Sequence, residues 1–273
     1  MSTDRDGVLY PLEIEHSVFD RAVIRVGRLG PITCTVCGRV SVATGFADNL
    51  RETGRCRRCG ATNRQRQLAR VACTAASALT GERVRSLARL ATGTDLAVFN
   101  TEASGAVHEQ LASMRQYEAS EYLGPEHEPG AVVDGRQHQD LRRLSFEDES
   151  FDLVLSSDVL EHVPDPYDAH REIHRVLRPE GHHVFTVPFH QTLYEDDVRA
   201  KLGPDGEPEL LATPIYHDDP IRPEGVLVYT IFSLEMLVRL SELGFFTTMY
   251  RLSELRHGIV GRNALVFDAV KHS

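Results

Sequence analysis

Between Phe151 and Pro188 the apolar residues change period twice. Phe151–Leu155 is a short run of β-forming apolar residues, bounded by the acidic turn EDES before it and by Ser156, Ser157 and Asp158 after it. That pattern predicts a buried parallel strand. Asp165 followed by Pro166 is an N-cap with proline at the first helical position, and Ala169, Ile173, Val176 and Leu177 then recur at helical spacing. The predicted helix has one apolar face and stops at Pro179 and Gly181, after which His183–Val187 reads as a second strand. Strand, helix and strand in so short a span make a βαβ unit.

The flanking patterns extend the same alternation. Residues 62 to 91 predict one or two helices rich in alanine, leucine and arginine, broken at Gly81, and Leu96–Phe99 predicts a strand. Toward the other end, Ser233 and Gly244 cap a helix carrying Leu234, Leu237, Val238 and Leu243, followed by strands at Phe245–Arg251 and Asn263–Val270. The first thirty residues, with Val8, Leu9, Leu12, Ile14, Val18, Phe19 and Val23 after a polar start, predict an arm packed on one of the two units after it.

Composition narrows the class. The 273 residues are 41% hydrophobic and 26% charged, a globular balance with enough length for a sizeable core. A formal charge of -10 disfavours a broad nucleic-acid footprint, which needs clustered positive charge. No apolar segment approaches the ~18 residues that would cross a bilayer, and no signal-peptide pattern opens the chain. The expectation is a soluble cytoplasmic protein.

Four of the five cysteines form two pairs, Cys34/Cys37 in CTVCG and Cys56/Cys59 in CRRCG, separated by 18 residues. Each CxxCG is a knuckle in which two thiolates converge and the glycine permits a tight turn. Two knuckles supply a closed tetrahedral site, which predicts a structural Zn²⁺ in an N-terminal module. A redox pair would need a single CxxC at a helix start in a βαβ setting. Cys73 reads as a small core residue. Around the second knuckle lie Arg51, Arg55, Arg57, Arg58, Arg64, Arg66 and Arg70. Lacking interleaved aromatics, they predict a solvated face rather than an RNA grip.

FDLVLSSDVLEHVPDP…EIHRVLRPEGHHVFTVP resembles the fourth and fifth strands of class I S-adenosylmethionine (SAM)-dependent methyltransferases. The composite RCRRCGATNRQRQLARV is similar to bacterial methyltransferases that begin with a zinc ribbon. The resemblance implies an α/β fold with a doubly wound, mostly parallel seven-stranded Rossmann-like sheet, a zinc module over 1–61 and a methyltransferase domain over 62–273. It also implies a final antiparallel strand pair. Residues 189–232, rich in proline and glycine, predict a lid or substrate wall after the fifth strand.

The same resemblance implies the site residues. Glu102 and Gly105 stand at the turn after the first strand, where Ala103 and Ser104 replace the usual glycines. Glu121 takes the position that binds the ribose hydroxyls, and Asp140 and Leu141 those that meet adenine. Ser157, Asp158 and His162 line the cleft beyond the fourth strand. His190 and His217 are candidate general bases, since a neutral imidazole titrates near physiological pH. His217, Asp218 and Asp219 could alternatively hold a divalent cation. The implied activity is SAM-dependent methylation, favouring oxygen of a small molecule such as a sugar unit or secondary metabolite. An RNA methyltransferase and an inactive methyltransferase-fold binding protein are the rivals.

Overall fold

The computed structural model describes residues 16–217, 225–261 and 265–272. An N-terminal segment comes first: α1 (Val18–Val26), then a three-stranded antiparallel sheet of β1 (Arg28–Thr33), β2 (Val40–Thr44) and β3 (Arg55–Cys56). Ser17 caps α1 through a reciprocal bond with Asp20. The α/β region begins with α2 (Asn63–Thr80), α3 (Leu87–Gly93), β4 (Val98–Asn100), α4 (Gly105–Leu111) and β5 (Tyr117–Ala119). It continues through β6 (Phe151–Ser157), α5 (Pro166–Val176), β7 (Leu177–Thr186), α6 (Leu234–Glu242), β8 (Phe245–Arg251) and β9 (Leu265–Lys271).

These strands form a sheet in the order β8-β9-β7-β6-β4-β5. The four strands β5, β4, β6 and β7 are parallel, whereas β9 runs antiparallel to both β7 and β8. The expected antiparallel closing pair is present. The sheet has six strands among the described residues, one fewer than the resemblance implies. The missing strand is reduced to a single parallel bridge between Glu121 and His138. The chain enters that bridge directly from a hairpin, Val132–Val133 with Arg136–Gln137, and leaves it at Asp140 into a turn. Local bonding on both sides leaves one residue free to join the sheet.

Apolar cores lie on both sheet faces. One is built from α2, α3 and α4 with Val98, Leu153 and Val184, and the other from α5 and α6 with Phe99, Phe185 and Phe267. The predicted caps form: Thr62 and Gln65 make a capping box on α2, Gly81 ends it in the left-handed conformation, and Asp165 caps α5 ahead of Pro166. One boundary shifts. β7 begins at Leu177, directly after α5, and takes in Pro179 and Gly181, with a register irregularity against β6. The strand edge there accommodates the irregular PEG turn, so proline and glycine mark a bulge rather than a loop.

The insertion over 189–232 folds, in its described part, as short antiparallel ladders. Asp197–Val198 pairs with Thr230–Ile231, Ala200–Leu202 with Pro208–Leu210, and Tyr216–His217 with Val226–Leu227. Asp218 and Asp219 lie outside the described residues. So do Val8, Leu9, Leu12 and Ile14 of the expected arm.

The N-terminal segment is stitched to the rest by buried polar side chains. Asn63 donates to the carbonyls of Leu50 and Val260 and accepts from the Val260 amide. Arg66, fully buried, donates to the carbonyls of Gly54, Ala61 and Gly258. The segment's apolar cluster is small, holding Val23, Ile32, Ala43, Phe46, Leu50 and Val260.

Two histidines buried against Phe185 carry a stability prediction. His170 is fully buried with neither ring nitrogen hydrogen-bonded among the described residues, and burial pushes its pKa down to about 3. His183 is pushed well down by burial and by His170. Both are neutral when folded, while the unfolded chain takes up protons below about 6.5. Stability is therefore full above pH 6.5 and falls progressively below it. His170→Leu removes two unpartnered nitrogens and one buried base, so it should gain about 1–3 kcal/mol at pH 7. The gain should widen toward pH 4.5. Urea unfolding of both proteins at pH 7, 5.5 and 4.5 checks this, because the difference between them excludes metal loss common to both.

Candidate active site and metal centre

The four knuckle sulfurs converge. Gly38 and Gly60 each stand after a second cysteine at φ 72° and 74°, donating their amides back to the carbonyls of Cys34 and Cys56 at 2.8 Å. Glycine adopts that conformation without strain. A zinc ion bound at ~2.3 Å by four thiolates holds its sulfurs roughly 3.8 Å apart. Cys34 and Cys59 Sγ are 3.8 Å apart, and all four Sγ atoms lie within 4.8 Å of one another. The donor set and spacing fit the ion. Arg66, which α2 directs beneath the knuckles, places a buried positive charge facing Cys34, Cys56 and Cys59. Cys73 is buried in the core, as expected.

The second group of residues gathers beyond the C-terminal ends of β4, β5 and β6, where parallel α/β sheets bind ligands. Gly105 opens α4 at φ 79°. Glu121 extends past β5 and its Oε1 accepts the Ala103 amide at 3.0 Å, tying the two strand ends together. Glu102 lies in the same turn. Burial pushes its carboxyl up to about 7, opposed by Arg64 and reinforced by Glu121 and Asp158. Asp140 accepts from the Arg142 amide at 2.9 Å and from its guanidinium at 3.1 and 2.7 Å. Burial alone would raise the Asp140 pKa, but these bonds lower it. A carboxylate offers about four lone-pair directions, so Asp140 keeps capacity for a further donor. The Leu141 side chain is buried in the core.

The arginine cluster is where the structure departs furthest from the sequence pattern. Arg51 grips Asp158 with both terminal nitrogens, and Arg64 reaches Ser157 Oγ and lies 3.4 Å from Asp158. Arg66 is buried beneath the knuckles, and Arg70 pairs with Glu254 at 3.1 Å. Four of the seven arginines thus point inward or to a partner across the fold, while Arg55, Arg57 and Arg58 are exposed. The solvated-face expectation holds for Arg55, Arg57 and Arg58 and is corrected for the other four: Arg51, from the segment between the knuckles, and Arg64, from α2, neutralise Asp158 beyond the end of β6. Desolvation opposes ionisation of Asp158, yet Arg51 and Arg64 hold its carboxyl far below the usual range, helped by Thr186 Oγ1 at 2.9 Å.

The two candidate bases separate. His190 is buried, its amide bonded to the Phe232 carbonyl at 2.7 Å and its Nε2 without a partner among the described residues. Burial lowers its pKa. His217 instead lies against Glu161 and His162: its Nδ1 is 3.6 Å from Glu161 Oε1, and the two imidazoles pack edge to face at 5.0 Å. Burial lowers the His217 pKa, but Glu161 and Asp158 outweigh it and the net direction is up. His162 bonds the Leu227 carbonyl through Nδ1 at 2.9 Å. Sequence patterning does not single out Glu161, though its place beside a histidine in the turn after β6 is a signal.

Known proteins are similar to parts of this chain. Residues 80–185 match the family described as a methyltransferase domain. The match runs from the end of α2 to β7 and takes in the turn after β4, the Glu121 bridge and the Glu161–His162 turn. An uncharacterized methyltransferase from Mycobacterium sp. (strain KMS) is 44% identical over 69 residues, which are 22% of this chain and 27% of that protein. The chain thus spans about a quarter of the length of the curated relatives it matches. Among solved structures, an S-adenosylmethionine-dependent methyltransferase from Mesorhizobium loti has 18% identity and a TM-score of 0.38, covering 65% of this chain and 91% of that one. The 1,6-didemethyltoxoflavin-N1-methyltransferase of Burkholderia thailandensis has 19% identity and a TM-score of 0.39, covering 75% and 80%. No helix among the described residues is long and apolar enough to cross a membrane.

Proposed function

We propose that this protein is a SAM-dependent methyltransferase acting on an oxygen of a small molecule, with residues 62–273 as the methyltransferase unit and 1–61 as a module held by structural Zn²⁺. The observation that carries the reading is the gathering of Glu102, Glu121, Asp140 and Ser157 at the ends of parallel strands inside the region matching a methyltransferase domain. Glu121 is suited to accept from the ribose hydroxyls, and Asp140 from the adenine amino group. The Glu102–Gly105 turn carries the methionine end. When bound, SAM supplies a methyl group on a positively charged sulfur.

The chain's own contribution is then positioning, closure and proton handling. An acceptor oxygen that forms a bond to the methyl carbon as the carbon–sulfur bond breaks must also release its proton. In this reading His217 receives it, with Glu161, 3.6 Å from its Nδ1, stabilising the imidazolium. His190 serves as a wall residue beside Phe232. The Arg51–Asp158 and Arg64–Ser157 contacts shut water out of one side. RNA recognition is the weaker reading, since the arginines it needs on the surface are largely turned inward.

Calorimetric titration of the zinc-loaded protein with SAM is the test. Saturable binding is expected, with Asp140→Ala weakening it by about tenfold, the value of one hydrogen bond to a charged acceptor. Absence of binding at millimolar SAM overturns the methyltransferase reading. Binding without turnover on any acceptor class would instead favour a binding protein on this scaffold.

A further inference from the structure

Glu161 is fully buried, yet neither of its carboxylate oxygens has a hydrogen-bond partner among the described residues. A buried carboxylate left without hydrogen bonds costs several kcal/mol unless a charge faces it. Its backbone is held in place, because the Glu161 carbonyl accepts the Tyr229 amide at 2.7 Å. What faces the side chain is a pair of imidazole nitrogens, His217 Nδ1 at 3.6 Å and His162 Nε2 at 3.8 Å from Oε1. Those separations are too long for hydrogen bonds. They are close to the spacing of ligands around one ion, which at about 2.1 Å from each donor holds its ligands roughly 3–3.4 Å apart. All three donor atoms lie within 4.8 Å of one another.

His162 is oriented for that role. Its Nδ1 bonds the Leu227 carbonyl, which fixes the tautomer with the proton on Nδ1 and leaves the Nε2 lone pair directed at the Glu161 side. Metal-ligating histidines are fixed in this way by a carbonyl on the second ring nitrogen. His217 arrives from a different part of the chain, on the ladder Tyr216–His217 with Val226–Leu227, and the same ladder supplies the carbonyl that orients His162. Three donors from two segments therefore meet around one point, with Glu161 buried on its inner side and His217, its side chain 38% exposed, on its outer side.

We propose that Glu161, His162 and His217 bind a divalent transition-metal ion at the mouth of the cleft, with open coordination positions that the oxygen of the acceptor fills. Two imidazoles and one carboxylate suit Mn²⁺, Fe²⁺, Co²⁺ or Zn²⁺ better than Mg²⁺ or Ca²⁺, which prefer all-oxygen sites. The role toward an acceptor rests on the methyltransferase reading; the ion site does not. An acceptor bearing adjacent hydroxyls could occupy two open positions, which narrows the substrate class to diols and related chelating oxygens. If the ion is present, His217 serves as its ligand and the acceptor proton leaves to solvent.

The experiment uses the full chain with its cysteine site filled by Zn²⁺, titrated with Mn²⁺ and monitored by the loss of the free-ion electron paramagnetic resonance signal. One Mn²⁺ per chain is expected. Glu161→Gln and His217→Ala should each weaken it by at least about tenfold, the lower bound set by losses of supporting groups at metal sites. Glu161→Gln removes a buried charge, so it should fold at least as well as the wild type; His217 lies at a half-exposed edge, so its variant also keeps the fold. SAM is titrated in parallel. Mn²⁺ binding without SAM binding leaves the ion site standing and removes the methyltransferase reading. SAM binding with no Mn²⁺, Co²⁺ or added Zn²⁺ bound at millimolar ion, or ion binding unchanged in both variants, overturns the ion site.

Discussion

Asp158→Ala is expected to destabilise the protein by about 3 kcal/mol, the lower end of the cost of removing one partner from a buried ion pair. The substitution takes the buried carboxylate away from two guanidiniums, Arg51 and Arg64, whose side chains are only 9% and 15% exposed, and leaves Glu52, 2.7 and 2.8 Å away, as the carboxylate they share. It also releases Thr186, and it places alanine at φ 57°, where aspartate and asparagine are tolerated better. Asp158→Asn separates the two causes, because it keeps the backbone preference and removes only the charge. Urea unfolding should show most of the loss in the asparagine variant. The ion pair depends on an ionised Asp158, whose folded pKa is depressed by the arginines. Its contribution is therefore present above the unfolded value of about 3.8 and lost as the pH falls below it. A double cycle with Arg51→Ala should give less than the sum of the single losses, since the pair is removed together. Equal and additive losses would show that Asp158 acts through packing alone.

Removing the metal from the cysteine site, by chelation or by Cys56→Ser, should unfold the N-terminal module and weaken SAM binding together. The module contributes five buried residues to its apolar cluster and has two short hairpin contacts, too little to stand by itself. Zinc binding supplies on the order of 10 kcal/mol to such modules. Once the knuckles open, Arg51 leaves Asp158, and Asn63 and Arg66 lose partners at Leu50, Gly54 and Ala61. Limited proteolysis should then cut within residues 28–61, while elemental analysis reports one zinc fewer per chain. The coupling is the informative part: a module that unfolded without any change in SAM affinity would mean that its arginines do not shape the cleft.

Sequence patterning succeeds in some places and fails in others according to the range of the forces involved. The α5 helix is legible because Asp165, Pro166 and the apolar repeat all act within a few residues of one another. The same holds for the Thr62 cap, the Gly81 stop and the two CxxCG turns, whose glycines are required by backbone conformation. The arginine cluster is not legible because the residues that neutralise it are remote: Arg51 and Asp158 are 107 positions apart. Composition makes charged residues look solvated, and only a folded neighbour shows that a charge is paired. The missing sheet strand has a similar origin. The segment around His138 has the register of a strand, but the hairpin before it and the Asp140 turn after it compete for the same backbone groups.

What the sequence determined by itself is the set of local decisions: helix caps, the βαβ rhythm, the parallel core strands and a four-cysteine site. Those depend on spacing of 3.6 or 2 residues, on proline and glycine, and on ligand types that few other arrangements use. Tertiary structure alone decided which charges meet. It turned four arginines away from open solvent, carried His217 on a distant ladder to Glu161 and His162, and separated it from His190. A charge or an imidazole carries no address in the chain, because its interaction energy depends on distance and burial, and both are fixed only when remote segments pack.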